Sequence, residues 1–576
     1  MRLSEELKEI RTRIDDLRNQ RAALESRIAV VWILPNEILA YIFEIGVRDE
    51  EHEVARRLED DRIDNDDNDD DGNDDDDNDD DDDDDVEHLP FQVLVSHVCR
   101  AFREVAIHTP TLWSQIHIHD LEPPRLDFVR TCVQRSGCSG LDIIIAWHDD
   151  YLESDSVPIH QLMEILVPHI YRFKRFSVQC CGFDVLYYVM QQLSKPAPQL
   201  EVLELSDADY ENGFDEDDAF EPPGQREPLT LFGGIMPKLK SLTLDGVHVA
   251  WARCNFKGLV KMHLGYHTRD VRPTYEEFKT IIEASPALRA LHFCASAPFI
   301  SDETSNSSVY PPLQMERLEK LHISEIPSDH ATTLILMLDT PNLMSLSLTD
   351  LDTNDYSTFL QRITGPPIRF PALTALKLAA IDVTDNAVEE LLGAYPKLIY
   401  LGLYFKGRPA SISWLKFLEP RGPENDVLCP KLECLRCVSA SSFVLKTLLE
   451  KRRDAGYPIS TLQVDRDTGN SEGLGFMTWI RENATLEIIE ASEYGLDDDM
   501  DETGSDWATD DEIGGFPYFS MEGFSDEDEE DEDEDENEDE EDEDENEDED
   551  EDEDDYEDAS EMEIEVEGND SESEEG

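Results

Sequence analysis

Cys429, Cys434 and Cys437 are the nearest approach to a chemical constellation in this chain, the last two in a Cys-x-x-Cys spacing. Thiolates so spaced suit zinc, but a closed structural site takes four ligands. Cys437 also stands where related segments of the chain carry leucine, a position for a small apolar group rather than a ligand. His117 and His119 alternate along an expected strand, which is a poor claim to ligation. The Asp/Glu runs lack the Asp-x-Asp-x-Asp-Gly loop with its terminal Glu and read as diffuse counter-ion attraction. There is no Gly-x-Gly-x-x-Gly, no Gly-Lys-Ser/Thr phosphate loop, no Gly-x-Ser-x-Gly elbow and no His-Glu-x-x-His. None of the ten cysteines has the surroundings of a catalytic thiol. The expectation is therefore a non-enzyme, with no catalytic residue, metal or cofactor. What remains is binding.

Charge narrows the kind of binding. The net charge is −87 over 576 residues, but it is concentrated. Glu482–Gly576 holds 52 acidic residues and no Lys or Arg, and Asp49–Glu87 holds 25 against three Arg, so everything else carries only about −13. Such tracts bury too little apolar surface to offset chain entropy, so an insertion at 48–88 and a tail at 493–576 are expected to be disordered. The balance argues against nucleic acid, which needs a cationic footprint. No apolar run approaches the length of about 20 residues that spans a bilayer, and Ile143-Ile144-Ile145-Ala146-Trp147 is far too short. Without a signal-peptide pattern, a reducing cytoplasmic or nuclear setting with free thiols is expected. In the tail, Trp507 and Phe516-Pro517-Tyr518-Phe519 read as a solvated linker or a short binding motif. Ser525, before Asp526-Glu527-Asp528, suits an acidophilic kinase.

The positioning elements begin with a helix over 1–30. Leu3, Leu7, Ile10, Ile14 and Leu17 step by four and three, then Leu24 and Ile28 follow, which predicts an amphipathic helix. It either dimerises as a short coiled coil or packs on the helices that follow. Pro35 fits a first helical turn. Ile38, Leu39, Ile42 and Phe43 then share a helical side. Beyond the aspartates, Val95, Val98, Cys99, Phe102 and Val105-Ala106 form a second stripe, stopped by Pro110 and anchored by Leu112-Trp113.

These two fragments, Leu34-Pro35-Asn36-Glu37-Ile38-Leu39-Ala40-Tyr41-Ile42-Phe43 and Val95 to Trp113 with its Cys99-Arg100-Ala101-Phe102-Arg103 core, resemble the halves of an F-box. The form, closing on Pro110-Thr111-Leu112-Trp113, is similar to F-box-like proteins of mushroom-forming fungi. The resemblance implies a domain over 31–115 that docks the Skp-type adaptor of a cullin ubiquitin ligase. It places Leu34, Pro35, Ile38, Leu39, Ile42 and Phe43 in the adaptor surface, completed by Val95, Val98, Cys99 and Phe102. The acidic insertion between the halves departs from the family. Loop closure grows only with the logarithm of length, about 0.6 kcal/mol per doubling, so the fold tolerates it more easily than docking does.

From there a phrase recurs, Pro-x-Leu-x-x-Leu-x-Leu. It begins at Pro198, Pro237, Pro286, Pro341, Pro371, Pro396 and Pro430, with weaker copies at Phe173, Leu259, Leu318 and Ile459. Most copies lie 25 to 30 residues apart, near the leucine-rich-repeat period. The Leu-x-Leu pair alternates across a short strand, and one unit cannot bury its apolar side alone, so copies stack. Stretches such as Thr274–Ala284, Ala331–Leu338 and Asn386–Ala394 are expected as helices of a convex layer. The fold class is α/β: helices, then an irregular leucine-rich-repeat solenoid over 116–492. Inserts at Asp207–Gly224 and Phe299–Pro312 read as rim loops.

The function implied is a substrate-recognition subunit of a Skp–cullin–F-box ligase, with the repeats holding an unknown protein substrate. The alternative is a non-catalytic acidic binding protein or chaperone of basic proteins such as histones, acting through the tail by long-range attraction.

Overall fold

The computed structural model describes residues 34–48 and 89–489, with breaks at 119–122, 148–156, 181, 208–219, 221, 300–309, 351–354, 405–410, 423–425, 466–478 and 482, together with Arg13 and Arg18. The remainder of the expected N-terminal helix, the acidic insertion beyond Arg48, His119 and the tail lie outside the described residues. All described residues fall in one unit.

The recurring Leu-x-Leu pairs become strands of a single parallel sheet. Its 14 strands run in chain order: β1 (Gln115–Ile118), β2 (Leu141–Trp147), β3 (Phe173–Cys180), β4 (Val202–Asp207), β5 (Ser241–Asp245), β6 (Lys261–Gly265), β7 (Ala290–Cys294), β8 (Lys320–Ser324), β9 (Ser345–Thr349), β10 (Ala375–Ala379), β11 (Tyr400–Tyr404), β12 (Cys434–Val438), β13 (Thr461–Asp465) and β14 (Thr485–Ile489). The chain is thus a mixed α/β protein built on one long parallel sheet. Register follows the repeat: Leu242 pairs with Met262, Leu291 with Leu321, Leu376 with Leu401. Every such residue is buried, and burying a side chain of this size contributes roughly 1.5–3 kcal/mol. Cys437 takes the same place on β12, opposite Leu403.

Helices cover the leucine side. One runs Tyr275–Glu283, opened by a reciprocal capping box between Thr274 and Glu277, which satisfies two otherwise unpaired N–H groups. Others span Ser328–Met337, Ser357–Thr364, Asp385–Ala394 and Ser442–Asp454. Their inward residues, among them Phe278, Leu334, Phe359, Leu391 and Leu448, join the strand leucines in one core.

Six of the strands leave the sheet through a left-handed residue. Gly246, Tyr266, Ala295, Glu325, Ala380 and Ser439 all have positive φ. The Tyr266, Ala295 and Glu325 N–H groups donate to the carbonyls of Cys294, Ser324 and Thr349, the last residue of the next strand in each case, at 2.9 Å. The corner therefore continues the ladder by one bond while turning the chain away.

At the β1 edge sit three helices: α1 (residues 36–48), α2 (Phe91–Val98) and α3 (Arg100–Ile107). The turn Pro110–Trp113 joins them to the sheet. Trp113 donates from Nε1 to the Ala106 carbonyl at 2.7 Å, and the Arg135 guanidinium lies over its ring at 4.3 Å. The apolar core runs unbroken from Leu39 through Trp113 and Ile116 to Ile480, across the boundary expected at 115/116. No helix among the described residues is long and apolar enough to cross a membrane.

Candidate functional site

Two surfaces stand out, and the first carries the docking residues expected from the sequence. The first is the N-terminal helix group, where segments on either side of the acidic insertion pack together. The ring of Phe43 on α1 meets that of Phe102 on α3 edge-on, centroids 5.1 Å apart. Thr111 donates its hydroxyl to the Glu44 carboxylate. Gly46 lies so close to Phe91 that a Cβ there would clash with the edge of the phenyl ring.

This packing divides the ten residues expected in one docking surface. Leu39, Phe43 and Val95 are buried, and Leu34 and Phe102 are half-buried against the same core. Cys99 caps α3, its sulfur accepting the Phe102 N–H at 3.4 Å. Pro35, Ile38, Ile42 and Val98 remain exposed. The reason is the 3.6-residue turn: Leu39, Phe43 and Val47 form an inward stripe, while Ile38, Tyr41, Ile42 and Ile45 form a second apolar stripe at i, i+3, i+4, i+7 facing solvent. Their exposures, 46%, 55%, 44% and 37%, are those of a surface helix whose outer side would normally be polar. Leu89, Leu94 and Val98, the last 65% exposed, add apolar area on and before α2. Tyr41, Ile45, Leu89 and Leu94 were not singled out by sequence, although Tyr41 and Ile45 share the spacing of Ile38 and Ile42.

The second surface is the sheet face turned away from the helices. Parallel strands in register bring the residue between the two leucines of each copy into one row, about 4.8 Å apart. Across β6, β7 and β8 that residue is histidine: His263 pairs with His292, and His292 with His322. The His263 and His292 ring centroids are 4.1 Å apart and edge to face at 67°, and those of His292 and His322 are 4.0 Å apart and stacked at 8°. Among the described residues no three His, Cys, Asp or Glu side chains form a metal-holding group. Burial pushes His322 down to about 3, with Lys377 and His263 adding to the shift, and burial drives His292 well below its usual value with help from His322 and His263. His292 and His322 are thus held neutral near pH 7. The signal for this row was present in the sequence as Met262-His263-Leu264, Leu291-His292-Phe293 and Leu321-His322-Ile323.

Cys429 and Cys437 are placed as packing groups, and Cys434 is half-buried. Cys429 is buried with its sulfur 3.5 Å from the Leu392 carbonyl, and burial pushes its thiol up to about 12. Cys437 is fully buried and its thiol is raised well above its usual value, again by burial first. Raised thiols are poor nucleophiles and poor ligands. His117 lies on β1, where burial lowers it to about 4.

No protein-family model matches the chain, and no curated protein matches it. Among solved structures, the crystal structure of a protein from Bacteroides fragilis overlaps 57% of this chain and 69% of that one, at 14% identity and a TM-score of 0.24. A likeness at that level carries no argument about fold or function.

Proposed function

We propose that the chain is a substrate receptor of a Skp–cullin–F-box ubiquitin ligase. In this reading the N-terminal helices are an F-box-like module that docks the Skp-type adaptor. The sheet and its helices are a degenerate leucine-rich-repeat solenoid whose helix-free side presents a target protein. The chain would supply no chemistry; the partner ligase acts on whatever the receptor holds close to it. The observation that carries the reading is the outward stripe Ile38, Tyr41, Ile42 and Ile45 on a helix whose opposite stripe is already buried. An apolar face left open beside a packed core marks a protein contact. It lies within the fragment that resembles the adaptor-binding half of an F-box.

The test is capture of the chain by a recombinant Skp-type adaptor, with Ile42→Arg and Val98→Glu as variants. Both side chains are exposed, so the fold should be retained while capture is lost. Capture that survives both substitutions, or never occurs with the unmodified chain, removes the reading. Adaptor capture should also persist in high salt, whereas association driven by the acidic tail collapses there. That difference separates the receptor from an acidic chaperone of basic proteins.

A further inference from the structure

α2, α3 and the helix Pro123–Arg135 enclose a cleft of about 270 Å³. α2 lines it with Val93 and His97, α3 with Arg103 and Ile107, and the third helix with Phe128 and Arg135. Spacings of four and seven keep each pair on one helical side. The cleft is one-sided in charge: in a chain with 135 acidic residues, no Asp or Glu lines it. The acids beside it on the same helices are engaged elsewhere, Glu104 with Arg100 at 3.2 Å and Asp127 with Arg130 at 2.7 Å. Among the described residues, Arg103 and Arg135 form no ion pair. The neutral donors of the cleft are spent inside the fold. The Ser96 hydroxyl donates to the Val93 carbonyl at 2.7 Å, and the Thr131 hydroxyl to the Asp127 carbonyl at 2.9 Å. The Trp113 indole N–H is held by the Ala106 carbonyl, while the Trp113 ring carries the Arg135 guanidinium at 4.3 Å. The N–H groups left to meet a ligand are those of Arg103, Arg135 and His97.

We propose that this cleft binds a small phosphate monoester bearing a flat apolar group. Arg103 and Arg135 take the phosphate, and Val93, Ile107 and Phe128 take the apolar group. Charge selects phosphate over carboxylate, because a monoester carries about −1.5 to −2 at neutral pH, which two guanidiniums balance. Their planar forks also match phosphate oxygens in pairs. Size selects a small ligand: the cleft lies just under the range of about 300–1,000 Å³ that holds drug-sized molecules. The apolar lining selects an ester over free phosphate, since an ion alone would leave Phe128 and Ile107 uncovered. His97, Arg103 and Arg135 are not among the residues assigned to adaptor docking, so the site stands whether or not the chain docks an adaptor.

Calorimetric titration of the full chain with phenyl phosphate tests this. Salt at 0.15 M, where the screening length is about 8 Å, keeps the acidic tracts from repelling the ligand at a distance. One site with a dissociation constant on the order of 1 mM or tighter is expected. Inorganic phosphate lacks the apolar group and benzoate the second charge, so each should bind roughly tenfold more weakly. Arg103 is exposed, and Arg103→Gln should keep the melting temperature while losing roughly tenfold in affinity. Arg135→Gln should lose as much, whereas Lys195→Gln, an exposed cation outside the cleft, should lose nothing. Three results overturn the proposal: no binding by the unmodified chain, benzoate bound as tightly as phenyl phosphate, or full affinity in both arginine variants. The comparison of ligands uses the unmodified protein, so misfolding of a variant cannot excuse a failure.

Discussion

The rings of Phe43 and Phe102 stand edge to face, 5.1 Å apart at 61°, although the acidic insertion separates them in the chain. Edge-to-face pairs add about 0.5–1.5 kcal/mol beyond burial, and Phe43 is buried in the core it helps close. Phe43→Ala should therefore cost about 3–5 kcal/mol, read as a lower midpoint in urea denaturation. Gly46→Val should be comparably damaging, because the added side chain meets the ring of Phe91. Ala at a surface site of α1 such as Glu37 should be neutral. Equal midpoints for Phe43→Ala and the unmodified chain would mean the two fragments do not support each other.

The two stripes of α1 predict opposite phenotypes for one substitution. Leu39→Arg places a charge in the core and should prevent stable folding. Ile42→Arg, three residues on but facing solvent, should change stability by no more than about 0.5 kcal/mol. Circular dichroism melting distinguishes them. If both variants melt alike, the division of the helix into inner and outer stripes is wrong.

That division was not legible in the sequence, and the reason is physical. Periodicity finds an apolar face by contrast with a polar one, and 38, 39, 41, 42, 43, 45 and 47 are all apolar. The repeats were legible because they have that contrast. In Pro198-Gln199-Leu200-Glu201-Val202-Leu203-Glu204-Leu205, the leucines are the residues that disappear into the core. The weaker copies at Phe173 and Ile459 bury in the same way. The left-handed corners were invisible for a different reason. Tyr266, Ala295, Glu325 and Ala380 are not residue types that announce positive φ, so only the ladder bonds beyond each strand explain them.

Ala380 offers a way to measure that corner. Its φ is 53°, a conformation costing a non-glycine residue roughly 1–2 kcal/mol. Glycine removes that strain and costs roughly 0.5–1 kcal/mol in chain entropy. Ala380→Gly should consequently stabilise the fold slightly, by up to about 1 kcal/mol, while the Ala380 N–H bond to Tyr404, 3.1 Å in length, is kept. A clear loss of stability would show that the methyl group packs more than the backbone strains.

Buried histidines set a pH dependence whose sign follows from their neutral state. His267 is held by the Ser296 hydroxyl at Nδ1 and the Val247 carbonyl at Nε2. Burial takes it down to about 3, against the opposing pull of the Val247 carbonyl and with Arg272 adding to the lowering. His322, faced by Lys377 and His263, also falls to about 3. Unfolded, both take up a proton near pH 6.5. Between about 3 and 6.5 the unfolded chain binds more protons, so stability is complete above 6.5 and is lost as pH falls. Each residue removes about 1.4 kcal/mol per pH unit below 6.5. Urea midpoints should drop steadily from pH 7 to 5, before most carboxylates titrate. His322→Gln should make that slope shallower. A flat profile over this window would show that the imidazoles take up protons in the fold as readily as in the unfolded chain.

Arg452 is the strongest case for a cation used as structure. It is fully buried, and among the described residues no carboxylate forms an ion pair with it. Its Nη1 donates to the carbonyls of Leu418 and Leu428 at 3.0 and 3.1 Å, its Nη2 to Cys429 at 2.9 Å, and its Nε to Tyr457 at 3.3 Å. The guanidinium thus gathers chain segments before and after β12, including the Cys429 corner with its positive φ. Burial lowers its pKa, but an arginine side chain still holds its proton at neutral pH. Removing it strands the Leu418, Leu428 and Tyr457 carbonyls, while Cys429 keeps the Leu432 N–H at 3.1 Å; each stranded group carries a desolvation cost of about 1–3 kcal/mol unless water enters. Arg452→Met preserves the stem and loses every donor, so it should destabilise by about 3–5 kcal/mol. Arg452→Lys should recover only a part, since one ammonium cannot reach the positions of the planar fork. Amide exchange should report the damage at β12 and in Ser442–Asp454, leaving β2 to β5 protected. Exchange rising uniformly across the sheet would mean instead that all strands open as one unit.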